Sequence, residues 1–306
     1  MYHIFLRYNV TLATVVNYSP RSPGLRHASK VQQNYNKKVC SPKNLIYTYS
    51  SNGGRNSQGV ITIRSRGGRV KTKFRTIDSV RKILTKSRGT LVSKYFILGE
   101  SSAKVKNIEY ASCCTMKLAL LSYRNGRREY MLVPRTLKID LFIYVGSGTT
   151  RDIGTTRALG LLPSGCISYN VELKPGVGGK IARSAGTFTQ LLAKTFGFVT
   201  LKLPSKEIRL VFKNCKTTIG QVYNFMVQNL TMGKAGKKRW LGRRAKVRGV
   251  AMNPNDHPHG GGEGRSPIGR KSPVTPWGKI ALGPKTRDTR KKSNTCILRF
   301  RHIKAQ

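Results

Sequence analysis

The apolar residues of this chain come in short bursts separated by polar and turn-forming residues. After a start with no sustained period, Val60-Ile61-Thr62-Ile63 is rich in β-formers, and Lys71 to Ile77 alternates basic residues with apolar ones or Thr. Alternation of that kind sends successive side chains to opposite faces of a strand. Val105–Tyr110, Leu118–Tyr123 and Tyr130–Val133 are further runs of strand length. Asn125-Gly126 sits between the last two and predicts a hairpin, because both residues tolerate the positive φ of a tight turn. Short strands divided by turns predict a small barrel.

Pro134 to Asp140 reads as a joint. Leu141–Val145, Cys166–Leu173, Phe198–Leu203 and Glu207–Phe212 then repeat the strand pattern, with Pro204-Ser205-Lys206 as a turn. Ile181–Lys194 has spacing that a helix would accept, but Gly186 and its neighbouring Thr residues favour strand and loop. A second small β-barrel is the economical reading, and Gln221–Leu230 is one short helix or turn. From Gly233 onward Gly, Pro, Lys and Arg dominate. With so few large apolar residues, that stretch cannot bury enough surface to offset its ordering entropy alone. The expected fold class is therefore mainly β. The expected division is a basic extension over 1–50, a first barrel over 51–133, a second over 134–220 and an extended basic tail over 221–306.

Charge changes the picture most. The 306 residues carry 58 Lys plus Arg against 11 Asp plus Glu, a formal net charge of +47. No internal arrangement pairs most of those cations, so the natural counter-charge is a polyanion. An anionic membrane would favour one basic amphipathic helix or a juxtamembrane cluster, whereas here Lys and Arg run the whole length. No apolar run approaches the roughly 18 residues of a membrane span. Nucleic acid is the partner that fits. Hydrophobic residues at 38% allow modest cores and are too few for one compact globule of this length.

The first acidic residue is Asp78. An acid-free start rich in Arg, Ser and Asn, broken by Ser19-Pro20, Ser22-Pro23 and Ser41-Pro42, fits an organelle transit peptide and fits equally a basic arm lying on RNA. Six cysteines (Cys40, Cys113, Cys114, Cys166, Cys215, Cys296) lack metal-ligand spacing, and adjacent Cys113-Cys114 is poorly placed to bridge. Reduced thiols in a reducing compartment are expected.

Four blocks carry candidate chemistry. The first holds Arg55, Arg64, Arg66, Arg69 and Lys71 among glycines, and runs on to Lys73 and Arg75. Glycine lets the backbone approach a phosphate while guanidiniums make paired hydrogen bonds to it. The second, Glu172 to Gly186, places Lys174, Lys180 and Arg183 in a Gly-rich loop; it lacks the Gly-Lys-Ser/Thr of a nucleotide-binding loop. It reads as a basic loop resting on RNA. The third surrounds one indole, Trp240, with Lys234, Lys237, Lys238, Arg239, Arg243 and Arg244, followed by Arg248. Trp240 is either a stacking platform for a base or a packing anchor. The fourth is Val250 to Arg265, with Asp256, His257, His259, Gly260, Gly261, Gly262 and Glu263. These acids and imidazoles suggest a metal or acid–base set in isolation. His-Pro-His before three glycines is neither helical nor a familiar zinc spacing, and the basic surroundings disfavour a bound cation. A Gly-rich loop threading between RNA helices is the better reading, with Arg265, Arg270 and Lys279 continuing the cationic tail.

Several of these stretches resemble the universal large-subunit ribosomal protein L-two family in its bacterial and organellar form. The resemblance rests on GKAGKKRWLGRRAKVRG (233–249), VAMNPNDHPHGGGEGR (250–265) and SPVTPWG (272–278), with GRNSQGVITIRSRGG (54–68), VELKPGVGGKIARSAGT (171–187) and TLKLPSKEIRLV (200–211) upstream. It covers roughly residues 45 to 302 with the motifs in family order. It implies an OB-fold-like barrel, then an SH3-like barrel, then an rRNA-bound tail. It also implies a structural role without enzymatic activity: binding large-subunit rRNA, supporting assembly and subunit association, and shaping the peptidyl-transferase region. Asp256, His257, His259 and Gly260 to Gly262 would lie near that centre. His257 corresponds to a tail histidine once proposed to assist peptide-bond formation, a reaction that belongs to the RNA.

The implied partners are large-subunit rRNA, neighbouring ribosomal proteins and the small subunit at the intersubunit face. Neither a membrane nor a second copy of the chain is implied. No cofactor is expected, and structural magnesium would be held through rRNA. Ser65-Arg66-Gly67-Gly68-Arg69-Val70-Lys71 and Tyr110-Ala111-Ser112-Cys113-Cys114 depart from the family pattern, which removes a histidine and one polar turn. That drift, with abundant Asn, Lys, Tyr and Phe, suggests an A/T-rich organellar genome. A mitochondrial ribosome is the expected location, with a plastid ribosome as the alternative.

Overall fold

The computed structural model describes residues 15–32, 41–81, 102–112, 114–146 and 152–301. They fall into two units. The barrel unit takes the described residues of Met1–Tyr49, Lys71–Lys234 and Thr295–Gln306; the basic unit is Ser50–Val70 with Ala235–Asn294.

The barrel unit is built from antiparallel strands. β1 (Val15–Asn17) and β2 (Ser29–Val31) form a small ribbon within the basic extension, and Ala28 and Val31 are buried. The Ser29 amide donates to the Thr231 carbonyl, so a segment read as irregular gains structure from a partner distant in sequence. β3 (Ile46–Tyr49) pairs with β4 (Thr72–Arg75). β5 (Ser102–Tyr110), β6 (Lys117–Tyr123), β7 (Arg128–Leu132) and β8 (Phe142–Tyr144) follow, in sheet order β7-β6-β5-β8. The expected Asn125-Gly126 turn joins β6 to β7. Gly126 sits at φ +81°, and the Tyr123 amide donates to the Arg127 carbonyl at 2.9 Å. These strands make the OB-fold-like half.

β6 is apolar on both faces, and the two-residue period explains why. Ala119 and Leu121 enter one cluster with Val105, Met131 and Ile143. Leu118 and Leu120 face the other way, into a cluster with Tyr130, Leu132, Tyr169 and Val222. That second cluster joins the two halves, and Tyr169 Oη donates to the Leu132 carbonyl at 2.9 Å across it.

The SH3-like half comprises β9 (Thr156–Ala158), β10 (Ile167–Tyr169), β11 (Val171–Glu172), β12 (Gly179–Ile181), β13 (Thr189–Lys194), β14 (Phe198–Lys202), β15 (Ile208–Phe212) and β16 (Lys216–Ile219). A last strand, β17 (Ile297–Arg299), returns from the tail to pair with β15. The sheet order is β17-β15-β14-β13-β10-β16-β9, with β11 and β12 paired separately. Its core is Leu159, Leu162, Leu191, Val199, Leu201 and Val211, with Cys215 beside them. Burial, with Glu172 nearby, pushes the Cys215 thiol up to about 11, so it stays an unreactive thiol. Cys114, Cys166, Cys215 and Cys296 form no disulfide among the described residues; Cys40 and Cys113 lie outside the described residues. Ile181–Lys194 resolves as strand and loop, as its glycine and threonines suggest.

The basic unit contains one short helix, α1 (Ala235–Trp240), among turns and 3-10 segments. Val60–Ile63, a β-rich run by composition, forms no strand there, and Val60, Ile61 and Ile63 are exposed. The Gly54 carbonyl accepts both the Thr62 and Ile63 amides, and Asn56 Oδ1 accepts the Gln58 and Val60 amides. Local capping thus outcompetes β-propensity where no neighbouring strand is present. The only buried residues of this unit are Gly53, Gly242 and His257.

Candidate nucleic-acid interface

The basic unit brings together two blocks that stand far apart in sequence. Helix α1 ends in a left-handed glycine, Gly242 at φ +78°. Its amide donates to the Arg239 carbonyl, and the Arg243 amide reaches back to the Lys238 carbonyl. This pairing satisfies the last free carbonyls and turns the chain sharply. The turned segment then meets the Gly-Arg loop. The Gly67 amide donates to the Gly242 carbonyl, the Arg244 amide donates to the Ser65 carbonyl, and Arg66 and Arg243 form an antiparallel bridge. Close approach demands glycine at 67, where a Cβ would sit 2.8 Å from Arg244 Cγ.

Arg55, Arg64, Arg66, Lys238, Arg239, Arg243, Arg244 and Arg248 are exposed, while Arg69 and Lys237 are partly covered. No acidic residue occurs in 1–77 or between Glu207 and Asp256, so neither block supplies a carboxylate of its own. Trp240 stands 54% exposed at the helix end. Arg265, Arg270 and Lys279 are exposed further along this unit. A second exposed indole, Trp277, caps a small turn closed by the Thr275 amide on the Lys279 carbonyl at 2.7 Å.

The histidine loop is organised by its own backbone. His257 is 8% exposed, the one buried large side chain of the unit. Its Nδ1 accepts the His259 amide at 3.0 Å, and His259 Nε2 accepts the Val274 amide at 2.9 Å. The rings lie 4.6 Å apart and tilted. Both imidazoles therefore use their unprotonated nitrogen as a structural acceptor, which fixes neutral tautomers. Partial burial, then His259 and Arg64, hold the His257 pKa below the ordinary histidine range. The glycines serve this packing. A Cβ at Gly249 would lie 2.7 Å from the His257 ring, and one at Gly260 would lie 2.2 Å from the Asn253 carbonyl oxygen. Gly261 and Gly262 adopt φ +87° and +85°. Asp256 and Glu263 are exposed on the same loop.

In the barrel unit the 172–180 loop has a feature that its basic look hides. Buried Glu172 accepts the amides of Gly176 and Gly178 at 3.2 Å each and of Lys216 at 2.9 Å. The loop's amides thus already hold a carboxylate, leaving the exposed Lys174 and Lys180 side chains to meet an external anion. Arg183 is partly covered and donates to the Gly179 carbonyl. Lys71, Lys73 and Lys234 are exposed. Arg75 turns inward, pairing with Glu109 at 2.7 Å and donating to the Tyr110 carbonyl. Sequence reasoning passed over Tyr47 and Tyr49, exposed on β3 beside Phe74, whose ring lies 4.9 Å from that of Tyr47. Their Tyr-Thr-Tyr spacing, two aromatics on one strand face, was the available signal.

Two family models match the chain. "Ribosomal Proteins L2, RNA binding N-terminal domain" covers residues 42–94, and "Ribosomal Proteins L2, C-terminal domain" covers 152–278. The "Large ribosomal subunit protein uL2c" of Euglena longa is 46% identical over 281 residues, 92% of this chain and 97% of that protein. The chain belongs to the ribosomal protein L2 family. It is a structural component of the large ribosomal subunit with an RNA-binding domain, and its family is not one of enzymes. The relative also corrects the expected location. Its name is of the chloroplast type, so the mitochondrial assignment is overturned. The Asn, Lys, Tyr and Phe excess reports A/T-rich coding, which both organelles share, and so never bore on which of them it was.

Proposed function

We propose that this L2-family protein anchors large-subunit rRNA through its basic unit and through exposed cations of the barrel unit, in a plastid ribosome. The single observation that carries this reading is the joining of two acid-free cationic segments, through Arg66 and Arg243, in a unit almost without buried side chains. Such a unit gains little from apolar burial, and its gathered guanidiniums are stabilised by phosphates. Arg55, Arg64, Arg66, Arg69, Lys237 to Arg239, Arg243, Arg244 and Arg248 grip the RNA backbone. Trp240 stacks on a base or on a neighbouring guanidinium.

The His257 loop belongs beside the peptidyl-transferase region, where it supports assembly, small-subunit association and the shape of the centre. Its imidazole has its basic nitrogen engaged by the His259 amide, so it is suited to donate from Nε2 to an RNA acceptor and unsuited to take a proton. Chemical probing of rRNA tests the reading in subunits carrying Arg66→Ala, Arg243→Ala and Arg244→Ala together. We expect defective assembly or lost protections around one rRNA region; unchanged protections would sink it. Subunits with His257→Ala should assemble and still form peptide bonds, and loss of that chemistry in fully assembled particles would refute the structural role.

A further inference from the structure

The hairpin between β13 and β14 presents an aromatic ring with no packing role. Thr195, Phe196 and Gly197 connect the strands, and the Thr195 amide and hydroxyl both donate to the Phe198 carbonyl at 2.9 and 3.0 Å. That closure holds the turn firmly, yet Phe196 at its tip is 98% exposed. A phenyl ring so placed forfeits the burial that ordinarily keeps Phe inside a protein. The ring is not bare of chemistry. Lys213 Nζ lies 5.4 Å from its centroid, and the Lys213 amide donates to the Gly197 carbonyl, which fixes the lysine beside the hairpin. Lys194 ends β13 at the base of the hairpin, its ammonium on the Gly160 carbonyl at 3.0 Å, and the Gly160 amide in turn donates to the Lys213 carbonyl, so both lysines gather at Gly160.

No carboxylate of the described residues pairs with either lysine. Glu207 is the only acidic residue from 188 to 220, and it lies at the opposite end of the β14–β15 pair from Phe198 and Phe212.

We infer that Phe196 is a base-stacking platform, on which an unpaired nucleotide of RNA lies while Lys194 and Lys213 hold the flanking phosphates. The inference rests on the rRNA-binding reading above and adds to it a site outside the basic unit. Charge decides the occupant. A fully exposed ring with one ammonium over it and a second lysine nearby, neither paired with a carboxylate, suits a polyanion that carries its own flat π-faces, which is single-stranded nucleic acid. An apolar protein pocket would have to desolvate both ammoniums without repayment. Phenylalanine offers no hydrogen bond, so the site tolerates any base and reads strand accessibility instead of sequence.

The test uses intact large subunits carrying the full-length chain. Ultraviolet irradiation followed by mass spectrometry should find a nucleotide adduct on the peptide containing Phe196. In subunits with Phe196→Ala or Phe196→Leu, one unpaired rRNA nucleotide should become about tenfold more reactive to a base-directed probe, the scale of one lost stacking contact. Phe196→Trp should restore protection. A protein crosslink at this tip, equal protection by Leu, or unchanged reactivity in every variant would overturn the platform. Protections that depend on Arg66 and Arg243 serve as the internal reference. If they persist while the tip shows nothing, the hairpin inference alone fails; if they too are absent, the rRNA reading fails with it.

Discussion

The two units of this protein solve the same problem, holding a chain in one shape, by opposite means. The barrel unit buries Leu, Val, Ile and Tyr in three clusters, two of which share β6. The basic unit buries two glycines and one histidine, and is held by turns, capped carbonyls and main-chain bridges. The first has a stability of its own; the second has a geometry whose charge asks for an external partner. The lesson is that a scarcity of apolar residues forbids a core without forbidding specific structure. Glycines at 67, 242, 249 and 260 supply close backbone approaches where side chains would otherwise interlock.

The largest expected contrast comes from Leu201→Ala, which should cost the barrel unit about 2–5 kcal/mol in chemical unfolding of the RNA-free chain. No single truncation in the basic unit should come near that figure, and one that did would break the comparison. Next, Glu172→Ala leaves three amides, that of Gly178 buried, without their carboxylate and should lower stability by roughly 1–3 kcal/mol. Glu172→Gln, which keeps an acceptor, should recover part of it. Trp240→Ala sharpens the contrast from the other side. Its unfolding midpoint should barely move, within about 0.5 kcal/mol, while RNA affinity drops by about 1–3 kcal/mol if the indole stacks on a base.

Affinity for RNA should also fall steeply with salt, as many counterions are released. Charge-neutralising changes at Arg66, Arg243 and Arg244 should flatten that slope, read by titration at several salt concentrations. The smallest effect is with pH. The His257 pKa is depressed on folding, so its contribution is complete above the ordinary histidine value of about 6.5 and is lost as pH falls through the lower folded value. The protection of the His259 amide against hydrogen exchange, taken relative to its intrinsic rate at each pH, should fall on acidification, and Gly249→Ala should produce the same loosening at neutral pH.

Much of the barrel unit was legible because its signals are local. Asn125-Gly126 announced its hairpin, and Phe198–Leu203 and Glu207–Phe212 announced β14 and β15 with the turn between them. The basic blocks were legible as cation-rich, and the tail as unable to build a core. Other features were hidden. Val60–Ile63 looked like a strand because propensity carries no information about whether a neighbouring strand exists. The carboxylate inside the 172–180 loop was invisible because Gly176, Gly178 and Lys216 converge on Glu172 only in three dimensions. Phe196 falls between Ile181–Lys194 and Phe198–Leu203 and drew no reading, since exposure is not written in a residue's type.

The sequence by itself determined the β class, the family and the polyanionic partner, because periodicity, ordered motifs and net charge are properties of the chain whatever its shape. Tertiary structure alone decided that residues 50–70 and 235–294 form one unit, and that β17 returns to the sheet beside β15. It also decided that the two loop imidazoles face backbone amides. The physical reason is range. A turn, an alternation or a charge sum is fixed by neighbours in sequence, whereas a bridge from Arg66 to Arg243 depends on glycines and carbonyls far apart in the chain meeting within a few ångströms.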